Sequence, residues 1–319
     1  MSETMLVSAI VLWSLVVLVA GAVAYGLLYE ARRLSVERLV VRLPALPPGL
    51  RGLRVVHVSD LHARPSGFLA PLFERLVEEV NRADADLVLV SGDLAAGAEN
   101  MPFAARLLSR MTSRYGVFVT LGNHDVNVTM ERWLQGLEEG FDVEALRNVL
   151  ADAGVRLLHN EAVTMDIGGC RVALLGLGDA SCGLDDLTAA TADLPDADLT
   201  VVVEHSPDIL DRPGIEVADL VLCGHTHGGQ MMIPGWGPVW APVWRDRRRG
   251  AGLLAYGRVA CHVTRGVGVT WPIRIACPPQ LAILELDCGP LNGTPVPPPL
   301  RLPTARARAG NLGATGGHV

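Results

Sequence analysis

The chain begins with an uncharged apolar run and then changes to an alternation of short apolar stretches and amphipathic ones. The first run extends from Met5 to Leu28, which is longer than the ~20 residues that a helix needs to cross a bilayer. No Lys or Arg precedes it, so it lacks the basic start of a cleaved secretory signal. Because basic residues favour the cytoplasmic side, the pattern predicts a single-pass anchor in the cell membrane with the rest of the chain in the cytoplasm. The basic residues that follow the run are Arg32, Arg33, Arg38 and Arg42.

The remainder of the chain alternates between helix-like and strand-like patterns. In the helix-like segment 68–83, apolar residues recur at helical spacing on one face, with Glu and Arg on the other. The strand-like runs between such segments read LRVVHVSD, DLVLVSGD, GVFVTLGN, RVALLGLGD, LTVVVEH and DLVLCGH. Strands that are apolar on both faces belong to a sheet that helices cover, so the pattern predicts an α/β fold.

Breaks in this alternation predict four segments. Residues 1–42 are expected to form the anchor and a juxtamembrane segment. The Pro- and Gly-rich stretch 43–52 is expected to be a linker, since dense prolines cannot continue a helix. One domain is expected at 53–289. The tail 290–319 has too little apolar content to pack and is expected to be disordered.

Composition narrows the classes of function and partner. The net charge is −7 across 319 residues, and a nucleic acid polymer is therefore not expected as a partner. The six cysteines include no CxxC pair. They are interpreted as buried thiols in a reducing compartment rather than as a disulfide framework.

Polar side chains follow the strand-like runs, at the point where each run ends. In α/β sheets ligands bind beyond the carboxyl ends of strands, so these side chains are expected to converge on one crevice. Carboxylates, imidazoles and an amide are ligands of borderline divalent metals, and here they are too many for a single ion. The sequence therefore predicts a two-metal site, of the kind that performs phosphoryl chemistry. The residues are Asp60, His62, Asp93, Asn123, His124, His205, His225 and His227.

The order of these motifs resembles the calcineurin-like metallophosphoesterase family. That family carries five blocks, D-x-H, G-D, G-N-H-[D/E], H and G-H-x-H, and all five occur here in order across residues 58–228 with no ligand position substituted. The resemblance implies a four-layer α/β/β/α metallophosphoesterase sandwich, preceded here by one N-terminal transmembrane helix.

The resemblance also implies a role for each residue of the site. One metal would be held by Asp60, His62 and His227, and the second by Asn123, His205 and His225, with Asp93 bridging both. A hydroxide between the metals would attack phosphorus, and His124 would protonate the leaving oxygen. Asp125 is expected to fasten the loop. The two divalent ions are expected to be Mn, Fe, Zn or Co.

One block departs from the protein-phosphatase branch of the family. There the G-D block continues with a second acid and an arginine, whereas here it reads Gly92-Asp93-Leu94-Ala95-Ala96-Gly97. The chain is instead similar to bacterial phosphodiesterase-like members in the stretches CGHTHGGQ and RGVGVTWPIRIACPPQLAIL. A membrane-anchored subset of these acts on lipid-linked substrates, including the diphosphate of an acylated UDP-glucosamine.

The predicted function is accordingly that of a dinuclear metal-dependent phosphoesterase, acting on phosphodiester or diphosphate bonds of a substrate that is lipid-linked or a nucleotide-sugar lipid. Two alternatives stay open: a phosphomonoesterase, and a non-enzymatic membrane-anchored binding module with the same fold.

Arg64 and Gln230 follow metal-binding blocks and are candidate phosphate contacts, although each is as readily a solvated side chain. The Trp- and Arg-rich loop 235–249 is interpreted either as a lipid-facing surface or as a Trp-packed loop with a basic rim. His57, inside the first strand-like run, is expected to be a hydrogen-bonded core residue.

Overall fold

A computed structural model describes residues 3–65, 67–126, 142–233, 236–243, 246–269 and 272–296. Two mixed β-sheets form its centre. The six-stranded sheet has the order β1-β14-β2-β3-β4-β5, in which β14 runs antiparallel to β2 and the other neighbours are parallel. Its strands are β1 (Ser35–Leu43), β2 (Arg54–Val58), β3 (Leu87–Ser91), β4 (Val117–Thr120), β5 (Arg156–Leu157) and β14 (Gln280–Cys288).

The seven-stranded sheet has the order β15-β12-β13-β9-β8-β7-β6. Its central strands β7, β8, β9 and β13 are parallel. The strands are β6 (Glu161–Ile167), β7 (Cys170–Gly176), β8 (Leu199–Val203), β9 (Leu220–Cys223), β12 (Gly252–Tyr256), β13 (Val259–Val263) and β15 (Thr294–Pro295). A separate hairpin joins β10 (Met232–Ile233) to β11 (Gly237–Pro238).

Helices cover the outer face of each sheet. The six-stranded sheet shares a buried apolar cluster with α2 (Ala70–Arg82), α3 (Met101–Leu108) and α4 (Val143–Asp152). The seven-stranded sheet packs against α5 (Leu187–Thr191) and the short helical turns Pro207–Asp211 and Ile215–Val217. A third cluster fills the space between the sheets. The four-layer α/β/β/α sandwich is therefore confirmed.

The inner face of β2 carries His57, which lies in this inter-sheet layer. Its Nδ1 is 2.8 Å from Nδ1 of His262 on β13, and its Nε2 is 2.9 Å from the hydroxyl of Ser91. The prediction of a hydrogen-bonded core histidine is confirmed, since a buried imidazole needs such partners.

The domain begins earlier than the sequence pattern predicts. β1 starts at Ser35 and pairs in parallel with β14, Ser35 lying opposite Gln280. Leu46 and Leu50, within the expected linker 43–52, are buried in the inter-sheet core. The juxtamembrane assignment of 35–42 and the linker assignment are therefore wrong, because these residues supply an edge strand and core side chains.

The carboxyl end of the described chain also continues the fold. β15 pairs with β12, and Val296 is buried. The disordered tail predicted for 290–319 therefore does not include 290–296, and its remainder, 297–319, lies outside the described residues.

The first helix, α1 (Glu3–Leu28), is the one helix in the described ranges that is long and apolar enough to cross a membrane. Nearly all of its side chains are exposed rather than packed against the sheets. A helical turn, Glu30–Arg32, follows at once. The buried carboxylate of Glu30 accepts hydrogen bonds from the backbone N–H groups of Ala276 and Cys277, at 3.0 and 2.9 Å. The apolar helix is thus joined directly to the α/β/β/α domain.

Candidate metal centre

The carboxyl ends of five parallel strands meet at one edge of the sandwich. β2, β3 and β4 of one sheet end before Asp60, Asp93 and Asn123, while β8 and β9 of the other end before His205 and His225. The loops are tied to one another, since the N–H of Asp60 donates to the carbonyl of Gly92. The structure brings the predicted residues into one place, as the topology of parallel strands requires.

One group of potential ligands consists of Asp60, His62 and His227. Nε2 of His62 lies 3.1 Å from Nε2 of His227, and Nε2 of His227 lies 3.4 Å from Oδ1 of Asp60. All three side chains are buried, and their ligand atoms are close enough together to hold one cation. Two imidazole nitrogens that face each other beside a carboxylate are the donor set expected of a metal site.

Asp93 lies between this group and a second one. Its Oδ2 is 3.5 Å from Nε2 of His62 and 3.3 Å from Nε2 of His205, so one oxygen faces both halves of the site. Its Oδ1 accepts a hydrogen bond from the backbone N–H of His124 at 3.0 Å. This placement is the one that a carboxylate bridging two cations would need.

The second group contains His205, His225 and Asn123. Nδ1 of His205 is 2.8 Å from the carbonyl oxygen of Ser91, which can only accept, so Nδ1 carries a hydrogen and Nε2 is the nitrogen that faces Asp93. The ring of His225 lies edge-on to that of His205, with centroids 5.0 Å apart. Oδ1 of Asn123 is buried and, among the described residues, has no hydrogen-bond partner. A buried amide oxygen without a partner, beside the imidazoles of His205 and His225, fits a cation.

The backbone at the site is strained. Five of the seven predicted ligands have positive φ, which non-glycine residues rarely adopt and which costs of order 1–3 kcal/mol each. Such conformations persist only where the surroundings impose them, and they cluster at functional sites. The residues are Asp60, His62, Asp93, His225 and His227, with φ between 43° and 68°.

Burial sets the protonation of the site. It lowers the pKa of His62 and of His225 to about 4, so both imidazoles are neutral at pH 7, which is the form that binds metal. Burial would raise the pKa of Asp93, but the neighbouring imidazoles of His205 and His62 hold that pKa well below its usual range. His205 differs, because burial would lower its pKa but Asp93 raises that pKa well above the usual value, and burial also raises the pKa of Asp60 to about 7. A divalent cation at these donors would take the place of the protons, so the set of imidazoles and carboxylates fits a pair of such cations.

The GNHD loop has the organisation that its sequence predicts. The buried carboxylate of Asp125 accepts hydrogen bonds from the backbone N–H groups of Leu94, Ala95 and Gly122, at 2.8, 3.2 and 3.0 Å. Its predicted fastening role is confirmed. His124 is half-buried, and its ring lies edge-on to that of His62 at 4.9 Å. Its side chain also falls within reach of a cation held by His62 and Asp93.

Two residues that sequence reasoning missed also belong to the site. Asp179 follows β7 and could hold a cation with His205 and His225; its buried Oδ2 has no hydrogen-bond partner among the described residues. The signal was present, since the run RVALLGLGD also ends in a carboxylate. Arg274 is buried and donates to the carbonyl of Gly268 at 2.6 Å. Its guanidinium also lies 3.4 Å from Nδ1 of His227, a contact that no local pattern indicates.

The two candidate phosphate contacts differ in their surroundings. Arg64 is exposed, so its side chain is available to a ligand. Gln230 is almost fully buried, and its Nε2 donates to the carbonyl of Ile273 at 2.9 Å. Gln230 therefore ties two loops together, and phosphate contact by either residue stays a prediction. Within the loop 235–249, residues 235, 244 and 245 lie outside the described part of the chain.

Comparisons with known proteins agree with this geometry. The sequence profile of the calcineurin-like phosphoesterase family matches residues 53–229. Phosphodiesterase YaeI of Escherichia coli is 29% identical over 271 residues, covering 84% of this chain and 94% of YaeI. The UDP-2,3-diacylglucosamine pyrophosphatase LpxG of Chlamydia muridarum is 26% identical over 310 residues, covering 80% of this chain and 90% of LpxG.

An uncharacterized metallophosphoesterase of Bacillus subtilis, YkuE, is 23% identical over 271 residues and covers 83% of this chain and 90% of its own. The profile matches more than half of the chain, and its range contains all five motif blocks. The chain therefore belongs to the calcineurin-like phosphoesterase family and is a metal-dependent hydrolase of phosphoric ester bonds.

Proposed function

We propose that this chain is a membrane-anchored dinuclear phosphodiesterase that cleaves phosphodiester or diphosphate bonds of a lipid-linked substrate. The observation that carries the proposal is the position of Asp93, whose Oδ2 faces imidazoles of both ligand groups at 3.3 and 3.5 Å. A site with a shared carboxylate between two sets of donors is suited to two cations rather than one.

In this proposal one cation is held by Asp60, His62 and His227, and the other by Asn123, His205 and His225, with Asp93 common to both. Two divalent cations at this place would lower the pKa of bound water toward ~7 and so supply hydroxide at neutral pH. Mn, Fe, Zn and Co all suit imidazole and carboxylate donors. Asp179 adds negative charge on the side of His205 and His225.

His124 is proposed as the general acid. Its backbone N–H holds Oδ1 of Asp93, and its half-exposed ring lies against His62, so the imidazole is fixed at the rim of the site. From there a ring N–H can donate a proton to a leaving alkoxide, a step that typically contributes ~10²–10⁴-fold.

The substrate class is proposed from two relatives and from the apolar helix. YaeI is a phosphodiesterase and LpxG acts on a diacylated nucleotide sugar, according to their names. In this chain α1 is exposed and apolar, as a membrane span requires. We place the catalytic domain on the cytoplasmic side, since the arginines follow the helix.

The test uses the full-length chain in detergent, with bis-(p-nitrophenyl) phosphate as diester and p-nitrophenyl phosphate as monoester. We expect faster turnover of the diester, loss of activity with a chelator, and recovery with Mn²⁺ or Zn²⁺. Faster monoester turnover would favour the phosphomonoesterase alternative, and chelator-resistant turnover would overturn the metal mechanism.

Variants separate the bridging residue from the others. Asp93→Asn should lower both metal content and turnover more than Asn123→Ala, because Asp93 faces both ligand groups. Asp166→Asn makes the same chemical change at an exposed position on β6 and should leave both unchanged. Two full equivalents of metal with wild-type turnover in Asp93→Asn would exclude the bridging role.

A further inference from the structure

Exposed apolar side chains are concentrated on and beside the hairpin of β10 and β11. Outside the N-terminal helix region, the described residues expose only two other large apolar side chains, Val40 and Val217. A contiguous apolar patch of this kind marks a surface that contacts something other than water. We call it the apolar hairpin; its members are Met231, Ile233, Trp236, Val239 and Trp240.

The apolar hairpin lies beside the end of α1. A short segment, Ile273–Ile275, runs between them: the N–H of Met232 donates to the carbonyl of Ile275 at 2.9 Å, and Met231 pairs with Ile275. On the other side, Gly26 packs so closely on this segment that a Cβ there would lie 2.8 Å from the carbonyl oxygen of Arg274. The last turn of α1, the segment and the hairpin are thus adjacent layers.

The length of α1 indicates where its last turn and the adjacent hairpin lie relative to the bilayer. At 1.5 Å per residue, the 26 residues of α1 span ~39 Å, whereas the hydrocarbon core of a bilayer is ~30 Å thick. The helix is therefore longer than the core requires. Because Gly26 packs on residues 273–275 of the domain, the carboxyl-terminal turn of the helix is the end that fits the headgroup region. Trp side chains favour this depth, because their rings are apolar while the indole N–H remains hydrated.

The hairpin also borders the metal centre. The carbonyl oxygen of Trp240 lies against Gly229, where an added Cβ would be only 1.9 Å away, and Gly229 is two residues from His227. On the opposite side of the first ligand group, the guanidinium of Arg32 lies over the ring of Phe68, 5.3 Å from the ring centroid. Phe68 belongs to the segment that follows His62. Loops from both sides of the first ligand group therefore contact elements at the end of α1.

We propose that the apolar hairpin is seated in the headgroup interface of the same bilayer that α1 crosses, so that the metal centre is held at the membrane surface. This inference rests on the membrane anchoring proposed above. It commits to lipid as the occupant, because the patch is joined through residues 273–275 to the only described helix that is fit to span a membrane.

The test places an environment-sensitive fluorophore, NBD, on single cysteines of the full-length protein in vesicles of phosphatidylcholine and phosphatidylglycerol. Cys170, Cys182 and Cys288 are partly exposed and are first replaced by Ser. Ile233→Cys reports β10, and Val239→Cys reports the residue directly after β11. Val217→Cys is the matched control, since Val217 is similarly exposed, at 38% against 49% for Val239. Val217 precedes β9 and so lies at the amino ends of the parallel strands, whereas the metal centre follows their carboxyl ends.

We expect nitroxide-labelled phosphatidylcholine to quench NBD at residues 239 and 233 by at least roughly twofold, and to leave NBD at 217 unchanged. Equal, weak quenching at all three positions would overturn the proposal. Shielding of residue 239 from water without quenching by the lipid nitroxide would also overturn it, and would indicate that a second copy of the chain covers the hairpin.

Two further measurements separate this inference from the function on which it rests. Resistance of vesicle association to alkaline carbonate reports whether α1 is inserted. Turnover of bis-(p-nitrophenyl) phosphate by each labelled variant reports the metal centre and correct folding. An inserted, active enzyme with an unquenched hairpin would refute the docking proposal alone, whereas a quenched hairpin without diester turnover would refute only the phosphodiesterase assignment.

Discussion

The junction between α1 and the domain offers a sharp test, because one buried carboxylate holds it. Glu30 accepts hydrogen bonds from the backbone N–H groups of Ala276 and Cys277. Ala276 has φ of 51°, a conformation that a non-glycine residue keeps only under constraint. Replacing Glu30 by Ala leaves the buried N–H of Cys277 and the partly buried N–H of Ala276 without their acceptor. A buried donor without a partner costs about 1–3 kcal/mol, whereas water can reach the N–H of Ala276, so the segment around residue 276 should be destabilised by about 1–3 kcal/mol.

The effect should reach the metal centre through two contacts of the same segment. The thiol of Cys277 donates to the carbonyl of His227 at 3.3 Å. The guanidinium of Arg274 lies 3.4 Å from Nδ1 of the same histidine. Glu30→Ala should therefore also weaken metal binding, measured as metal content after dialysis. Glu30→Gln keeps one acceptor oxygen and should fall between Glu30→Ala and the wild type in both respects.

The assay is amide hydrogen exchange of the full-length protein in detergent, followed by mass spectrometry of peptides covering 272–280. A loss of 2 kcal/mol accelerates exchange through local opening by roughly 30-fold. Glu74→Ala serves as the control, because Glu74 likewise accepts close hydrogen bonds, from Arg110 at 2.6 Å, but at the surface of the protein. Unchanged exchange and metal content in Glu30→Ala would refute the idea that this carboxylate holds the segment in place.

Three other predictions concern the site and its orientation. Gly224→Ala should abolish metal binding in elemental analysis, because the added Cβ would lie 1.9 Å from Oγ of Ser59 and 2.3 Å from Oδ2 of Asp60; normal metal content would contradict this. His124→Ala should lower kcat on an alkyl phosphodiester by ~10²-fold or more but spare a nitrophenyl ester, whose leaving group needs no proton; equal losses at full metal occupancy would remove His124 from the acid role. A cysteine added after Val319 should resist an impermeant thiol reagent in intact cells, and labelling before lysis would reverse the proposed orientation.

Much of the site was predictable because each block of polar residues directly follows an apolar strand. The run DLVLVSGD becomes β3 and delivers Asp93, and DLVLCGH becomes β9 and delivers His225. In a parallel sheet the strand ends are brought together by topology alone, so local patterns were enough to predict a shared crevice. The prediction that His57 is a hydrogen-bonded core residue rested instead on its position inside the first strand-like run.

The first strand was not predictable in this way. SVERLVVRL carries basic residues next to an apolar helix, so it was interpreted as a juxtamembrane segment. It becomes β1 only because β14, at the far end of the chain, offers it a parallel edge. The contacts of Glu30 and Arg274 were not predicted for the same reason. Their partners, Ala276 and His227, are distant in sequence, and a local pattern does not indicate such contacts.

The direct passage from α1 to β1 has a kinetic consequence. Only residues 29–34 separate the two elements, and among them Glu30, Ala31 and Leu34 are buried. If the ten residues 43–52 formed a flexible linker, its ends would be ~15–20 Å apart on average and the domain could move relative to α1. The short junction with buried side chains does not allow such movement. In the proposed membrane-anchored arrangement the domain could not move on a flexible tether. It would meet a lipid-linked substrate at a fixed height above the membrane, and lateral diffusion in two dimensions would govern their encounter.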